Sequence, residues 1–242
     1  MRKCVFFVGS LKIVFVFVAV LIIGFVSSFF VYTAVRVNTD AKLNYTIVVD
    51  AGHGGIDGGC VGTHTGVTEA EINLAVSKKL KSLLDSFGFR VVMTRSNANG
   101  LYSQFATNKK LDDMESRKKI IQRSNADMVV SIHMNSFGDS SQHGAQTFYQ
   151  IGVENAETLA TCVQNELVKN MTEARGFANH TDLYILKCTD SPAVVVEGGF
   201  LTNPADEELL ITDDYQTKLA YSIFCGIVKF YEIQNQLNLG SR

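Results

Sequence analysis

From Tyr45 onward the apolar residues follow two alternating rhythms. Short β-branched runs at Thr46–Asp50, Arg90–Thr94, Met128–His133, Ala145–Gln150 and Ala193–Glu197 have the length of buried strands, and Leu183–Leu186 would make a sixth. Between them, apolar residues recur at three-and-four spacing over Glu69–Phe87, Glu115–Ser124, Asn155–Met171 and Asp214–Glu232, the pattern of helices with one buried face. The alternation predicts one α/β domain over residues 45–233, with a twisted, mostly parallel or mixed sheet of about six strands flanked by helices. Residues 234–242 are set apart as a tail. Asn97–Asp113, rich in Asn, Lys and Ser, reads as a loop suited to a lid or a partner-binding surface.

One stretch follows neither rhythm. Ile13 to Val35 carries no charge and has about the 20 residues needed to span a bilayer. Arg2, Lys3 and Lys12 precede it, so the positive-inside rule keeps the amino terminus in the cytoplasm and sends the rest across the membrane. Residues 1–36 are therefore expected to be a signal anchor with its transmembrane helix at about 13–35, and residues 37–44 a polar stalk. A cleaved signal peptide is the alternative, with small residues at Ser27-Ser28 and Thr33-Ala34, but the apolar run exceeds the usual length of such a peptide.

Composition narrows the function classes. Of 242 residues, 46% are hydrophobic and 19% charged, which excludes a disordered chain. Lys+Arg of 22 against Asp+Glu of 24 leaves no field to draw the protein to nucleic acid, and no nucleic-acid motif occurs. The five cysteines form no C-x-x-C pair, which argues against a cysteine-built metal site; one disulfide is open to an exported chain, its pairing unassigned.

The chemistry gathers at strand ends. The first run breaks into Gly52-His53-Gly54-Gly55-Ile56-Asp57-Gly58-Gly59, and another ends in Ser131-Ile132-His133. In α/β sheets the carboxyl ends of strands open onto the ligand crevice, and glycines there let backbone and ligand approach closely. Taken alone, His53 reads as a turn residue and His133 as a strand-end histidine bonded to backbone. Together they suggest a metal site, which needs a carboxylate. In Thr68-Glu69-Ala70-Glu71 the spacing of Thr68 and Glu71 is that of a capping box, which leaves Glu69 to face the crevice. Glu197 closes the very apolar run Ala193–Val196, where burial would raise its pKa toward working pH and suit it to proton transfer. Asp57 is placed to orient a histidine as an outer partner. His64, His143 and His180 fall in polar loops and read as solvated, although His64 could shape the rim of the site.

The segments VVDAGHGG, the Thr-Glu helix entry, SRKKIIQRSNADMVVSIHMNS and SPAVVVEGGFLTNPADEELL, in this order, resemble the zinc-dependent N-acetylmuramoyl-L-alanine amidases of bacterial cell walls (amidase type 3) over nearly all of Tyr45–Tyr231. The resemblance implies one Zn²⁺ held by His53, Glu69 and His133, with Glu197 as the catalytic glutamate. It implies hydrolysis of the amide between N-acetylmuramic acid and L-alanine in peptidoglycan. Ala70 stands where many members have Lys, and Met134 where many have Ala; neither change removes a ligand. The architecture is most similar to the membrane-anchored amidases of spore-cortex maturation and germination, which trim the cortex on the route to muramic lactam. That places the domain outside the cytoplasm, in the cell envelope or the forespore intermembrane space. Peptidoglycan is then the substrate, the membrane is engaged through the anchor, and an activating partner protein is a further expectation. Two rivals stand beside this reading. A zinc exopeptidase of carboxypeptidase type uses the same ligand set, and a catalytically silent domain would bind wall or a partner.

Overall fold

A computed structural model describes residues 43–240. The anchor and most of the stalk lie outside these residues. Among the described residues no helix is long and apolar enough to cross a membrane.

Side-chain alternation in the three central strands sets the layers. In β1 (Thr46–Ala51), Ile47 and Val49 join one apolar cluster and Val48 another; Val130 and Ile132 oppose Val129 in β3 (Met128–Asn135), and Val194 and Val196 oppose Val195 in β6 (Ala193–Phe200). Strands apolar on both faces must be covered on both. The sheet order is β2 (Arg90–Met93), β1, β3, β6, β4 (Gln146–Tyr149), β5 (Asn179–His180). All neighbours run parallel except β6 and β4. This is the six-stranded mixed sheet that the alternating pattern predicts.

On one face lie α1 (Glu69–Phe87), α3 (Ala156–Asn170) and α5 (Asp213–Gly240), which contribute Val76 and Leu80, Leu159 and Val163, and Leu219 and Ile223 to the larger cluster. The other face is covered by α2 (Lys109–Ser124) through Ile121 and by a 3-10 turn (Tyr184–Cys188) through Ile185 and Leu186. Helix α1 begins as its capping residues indicate, with Thr68 N–H donating to Glu71 Oε2 at 3.0 Å, and ends at Gly88 in the left-handed region.

Four elements differ from the sequence reading. Leu183–Leu186 is not a strand but largely that 3-10 turn, and the sixth strand is the short β5. Helix α2 starts at Lys109, inside the segment read as loop, because the Asn108 side chain accepts from Leu111 N–H at 3.0 Å and caps it. A short helix, α4 (Pro204–Leu210), follows β6, capped by Asn203 with Pro204 in its first turn. Helix α5 continues well past Glu232, through the stretch set apart as a tail.

Candidate metal centre

His133 and Glu197 are direct partners across the parallel pair β3–β6, so their side chains leave the sheet on the same face near its carboxyl end. His53 comes from the turn after β1, and Glu69 from the first residue of α1. Four elements thus converge on one point. His53 Nε2 lies 3.2 Å from Glu69 Oε2, and His133 Nδ1 lies 2.8 Å from Glu69 Oε1. One donor atom from each of His53, Glu69 and His133 lies within 4.8 Å of the others, so the set is able to hold one metal ion. Two imidazoles and one carboxylate make the donor set that an open zinc site uses.

The glycines of the turn make this convergence possible. A side chain at Gly52 would run into the His133 ring, and one at Gly59 into Glu69 and His53. His53 itself holds φ at 60°, a region uncommon for a residue with a side chain. Its Nδ1 meets Asp57 Oδ2 at 2.9 Å, which orients the ring and leaves Nε2 for Glu69.

Glu69 is tied down by the backbone around it. Cys60 N–H donates to Oε2 at 3.0 Å, Met134 N–H to Oε1 at 3.2 Å, and Asn73 Nδ2 to Oε1 at 3.3 Å. Burial pushes this carboxyl up, but hydrogen bonds to His133 and His53 dominate and hold it well below the usual carboxylate range. Burial also opposes charge on both imidazoles, but Glu69 together with Asp57 raises His53, and Glu69 together with Glu197 raises His133.

Glu197 has the opposite environment. Burial raises its carboxyl to about 7, helped by the Glu69 charge and resisted by His133 and His53. Its Oε2 is shut off from solvent and has no hydrogen-bond partner among the described residues. A buried carboxylate with a raised pKa and an unpaired oxygen marks a candidate for proton transfer.

Beneath the turn lies a charged layer that the sequence reading missed. The buried Arg117 donates from Nε to Asp113 Oδ2 at 2.6 Å, from Nη1 to Asp50 Oδ1 at 2.6 Å and to the Ala51 carbonyl, and from Nη2 to the His53 carbonyl at 2.5 Å. Arg95 donates to the carbonyls of Ala51, Gly52 and Ala70. The two guanidinium groups therefore bind the backbone that carries His53 and the start of α1. The visible signal was the Asp113/Arg117 pair at helical i,i+4 spacing. His64, His143 and His180 lie outside the centre. His64 does help to shape the loop before α1, through its backbone N–H to Glu207.

An α/β sheet that gathers two histidines, the buried Glu69 and the unpaired Glu197 at its strand ends has the layout of a hydrolase site. The N-acetylmuramoyl-L-alanine amidase family matches residues 47–229. The chain belongs to that family. It is 33% identical to the germination-specific N-acetylmuramoyl-L-alanine amidase of Bacillus subtilis, over 76% of this chain and 79% of the relative. It is 37% identical to the uncharacterised YqiI of the same organism, over 77% of this chain and 85% of that one. Among solved structures it resembles the CwlD amidase of Clostridioides difficile, described in complex with the GerS lipoprotein, with 38% identity, a TM-score of 0.75, and coverage of 78% of this chain and all of that one.

Proposed function

We propose that this amidase holds one zinc ion with His53, Glu69 and His133, uses Glu197 as its acid–base group, and cleaves the muramoyl–L-alanine amide of peptidoglycan outside the cytoplasm. The observation that carries the reading is the placement of the unpaired Glu197 beside His133, across the strand pair from a set of three metal donors. Zinc bound there supplies a Lewis acid for the carbonyl and acidifies water. Glu197 takes the proton of the attacking water and delivers it to the departing nitrogen of L-alanine. Asp57 keeps the His53 ring in place, and Arg117 keeps its backbone in place.

Spore-cortex maturation is the cellular setting we favour, supported by similarity to a germination-specific relative and to CwlD. The reported CwlD complex supports an accessory lipoprotein for this chain as well. An anchor at about residues 13–35 would hold the enzyme at the membrane face.

The test is digestion of purified peptidoglycan by zinc-loaded protein. New L-alanine amino termini should appear with no cuts between stem-peptide residues. Chelation should stop the release and added zinc restore it. Cuts within the stem peptide would favour the exopeptidase reading, and no cuts with bound zinc and the accessory protein present would favour a silent binding domain.

A further inference from the structure

The centre lies at the junction of two unlike lobes. One, about 310 Å³, is walled by Met114, Leu183, Tyr184 and Ile185. The other, about 490 Å³, is walled by Cys60, Asn135 and Ser136. His53, His133, Glu197, Asp57 and Lys110 line both, so a bond held at the centre sends one half of the substrate into each lobe. We propose that the peptide half enters the apolar lobe and the sugar half the polar one, with Lys110 reading the acidic group on the second peptide residue. This rests on the amidase reading above.

Two observations carry the assignment of the lobes, and a third places a cation at their junction. A muramoyl sugar carries hydroxyl and acetamido groups that would lose water without gaining partners against Met114, Leu183 and Ile185. The wider lobe offers Asn135 and Ser136 instead. The methyl group of L-alanine loses nothing against an apolar wall and gains by leaving water. That wall is a built surface, because Tyr184 donates its hydroxyl to Glu115 Oε1 at 2.7 Å and so ties the 3-10 turn to α2.

Charge supplies the third observation. Two cations line the apolar lobe, Arg117 and Lys110. Arg117 spends its Nε and both terminal nitrogens on Asp113, Asp50 and the carbonyls of Ala51 and His53. Lys110 is exposed, and its Nζ forms an ion pair with Asp57 Oδ2 at 3.6 Å, a separation that leaves its hydrogen-bond donors open while Asp57 accepts from His53. Lys110 is thus the lining cation with donors to offer. In a peptidoglycan stem the residue after L-alanine is joined through its side-chain carboxyl, which leaves an α-carboxylate, or a carboxamide when amidated, one residue from the scissile bond. A cation at the junction of the two lobes distinguishes the two.

The experiment uses full-length, zinc-loaded protein and two muramoyl-peptides that differ only in carboxylate or carboxamide at the second residue. The wild type should prefer the carboxylate in kcat/KM by roughly fivefold, the scale of a partly exposed ion pair, and Lys110→Met should bring the ratio to about one. Binding is read separately by calorimetry with free stem peptide and with the methylamide of N-acetylmuramic acid, which keeps the sugar and removes its lactyl carboxylate. Leu183→Asp, on an exposed wall position, should weaken the peptide and leave the sugar within about twofold, since an added anion repels the peptide's carboxylate. A carboxylate preference that survives Lys110→Met, or a Leu183→Asp variant that loses the sugar instead, overturns the assignment. Failure of the amidase reading would look different, with neither muramoyl-peptide cleaved by the wild type while calorimetry still scores the lobes.

Discussion

His53 occupies a left-handed conformation that costs a residue with a side chain on the order of 1–3 kcal/mol. It is held there by Arg117 on its carbonyl, Asp57 on its ring, and reciprocal backbone bonds between Gly54 and Asp57. Such strain persists where it serves a site. On the proposed roles, His53→Ala should lose both zinc and turnover, whereas Glu197→Gln should keep zinc and lose about 10²-fold or more in kcat. Metal analysis beside a turnover assay reads both, and equal zinc loss would move Glu197 into the ligand set. The carboxyl of Glu197 is raised to about 7 without a metal, and a bound cation draws it down. The acid limb of kcat/KM should therefore lie at or below about pH 7, and an acid limb above that value would count against Glu197 as base. Asp50 supplies a stability prediction. Burial pushes it up, but Arg117 and the hydroxyls of Ser131 and Thr94 hold it at about 2. A depressed carboxyl stabilises the fold fully above its ordinary value near 4 and loses that contribution as pH falls toward 2. Acid titration of the unfolding midpoint should show about 2 kcal/mol less lost in that window by Asp50→Asn, measured against its own neutral-pH value.

At the scale of elements, Pro204–Leu210 braces the site. Asp206 accepts from Phe200 N–H and Gly144 N–H at 2.8 Å each, fixing the chain just beyond Glu197. Its neighbour Glu207, fully buried, accepts from the backbone of His64 and Thr65 and from the hydroxyls of Thr63 and Thr65. The loop so gripped continues into Cys60, whose N–H meets Glu69, and Gly62 is needed because any side chain there would strike Glu207. Because Glu207 reaches Glu69 only through the loop to Cys60, Glu207→Gln should keep the fold yet weaken zinc binding by up to roughly 10-fold, the low end for groups bonded directly to a ligand. Zinc titration against the unfolding midpoint checks this, and unchanged affinity would limit Glu207 to folding. The sequence shows the long elements well because their periodicity runs over many residues and their ends carry caps, as at Thr68 and Gly88. The convergence of His53, Glu69 and His133 is legible because glycine-rich breaks and strand ends mark it. The seven-residue helix that carries Asp206 and Glu207 is too short for a period, and its acids look like solvated surface. Leu183–Leu186 is an apolar run too short to separate a strand from a turn. Arg117 resembles a surface helix cation, and only the closed fold shows that it lies beneath the His53 turn.

At the scale of the whole molecule, the catalytic domain carries its apolar surface inward, and its four described cysteines, Cys60, Cys162, Cys188 and Cys225, are all free thiols. Among the described residues the sheet and its two covering layers supply the stability. On the proposed reading the domain's address comes from the amino-terminal segment. The uncharged stretch from Ile13 to Val35 is long enough to span a bilayer, and in the proposed anchor the cations before it would set the orientation. Binding through a spanning helix differs physically from binding through surface charge, because salt screens the second over about a Debye length and leaves the first untouched. The full chain in cells should therefore stay with membranes through high-salt and alkaline washes, at a mass that includes Met1. Protease added outside the membrane should remove the domain after Arg36, while a tag at the amino terminus stays protected. Release by salt, or a mature chain that begins beyond Val35, would replace the anchor with a cleaved signal and leave substrate contact to the two lobes or to an accessory protein.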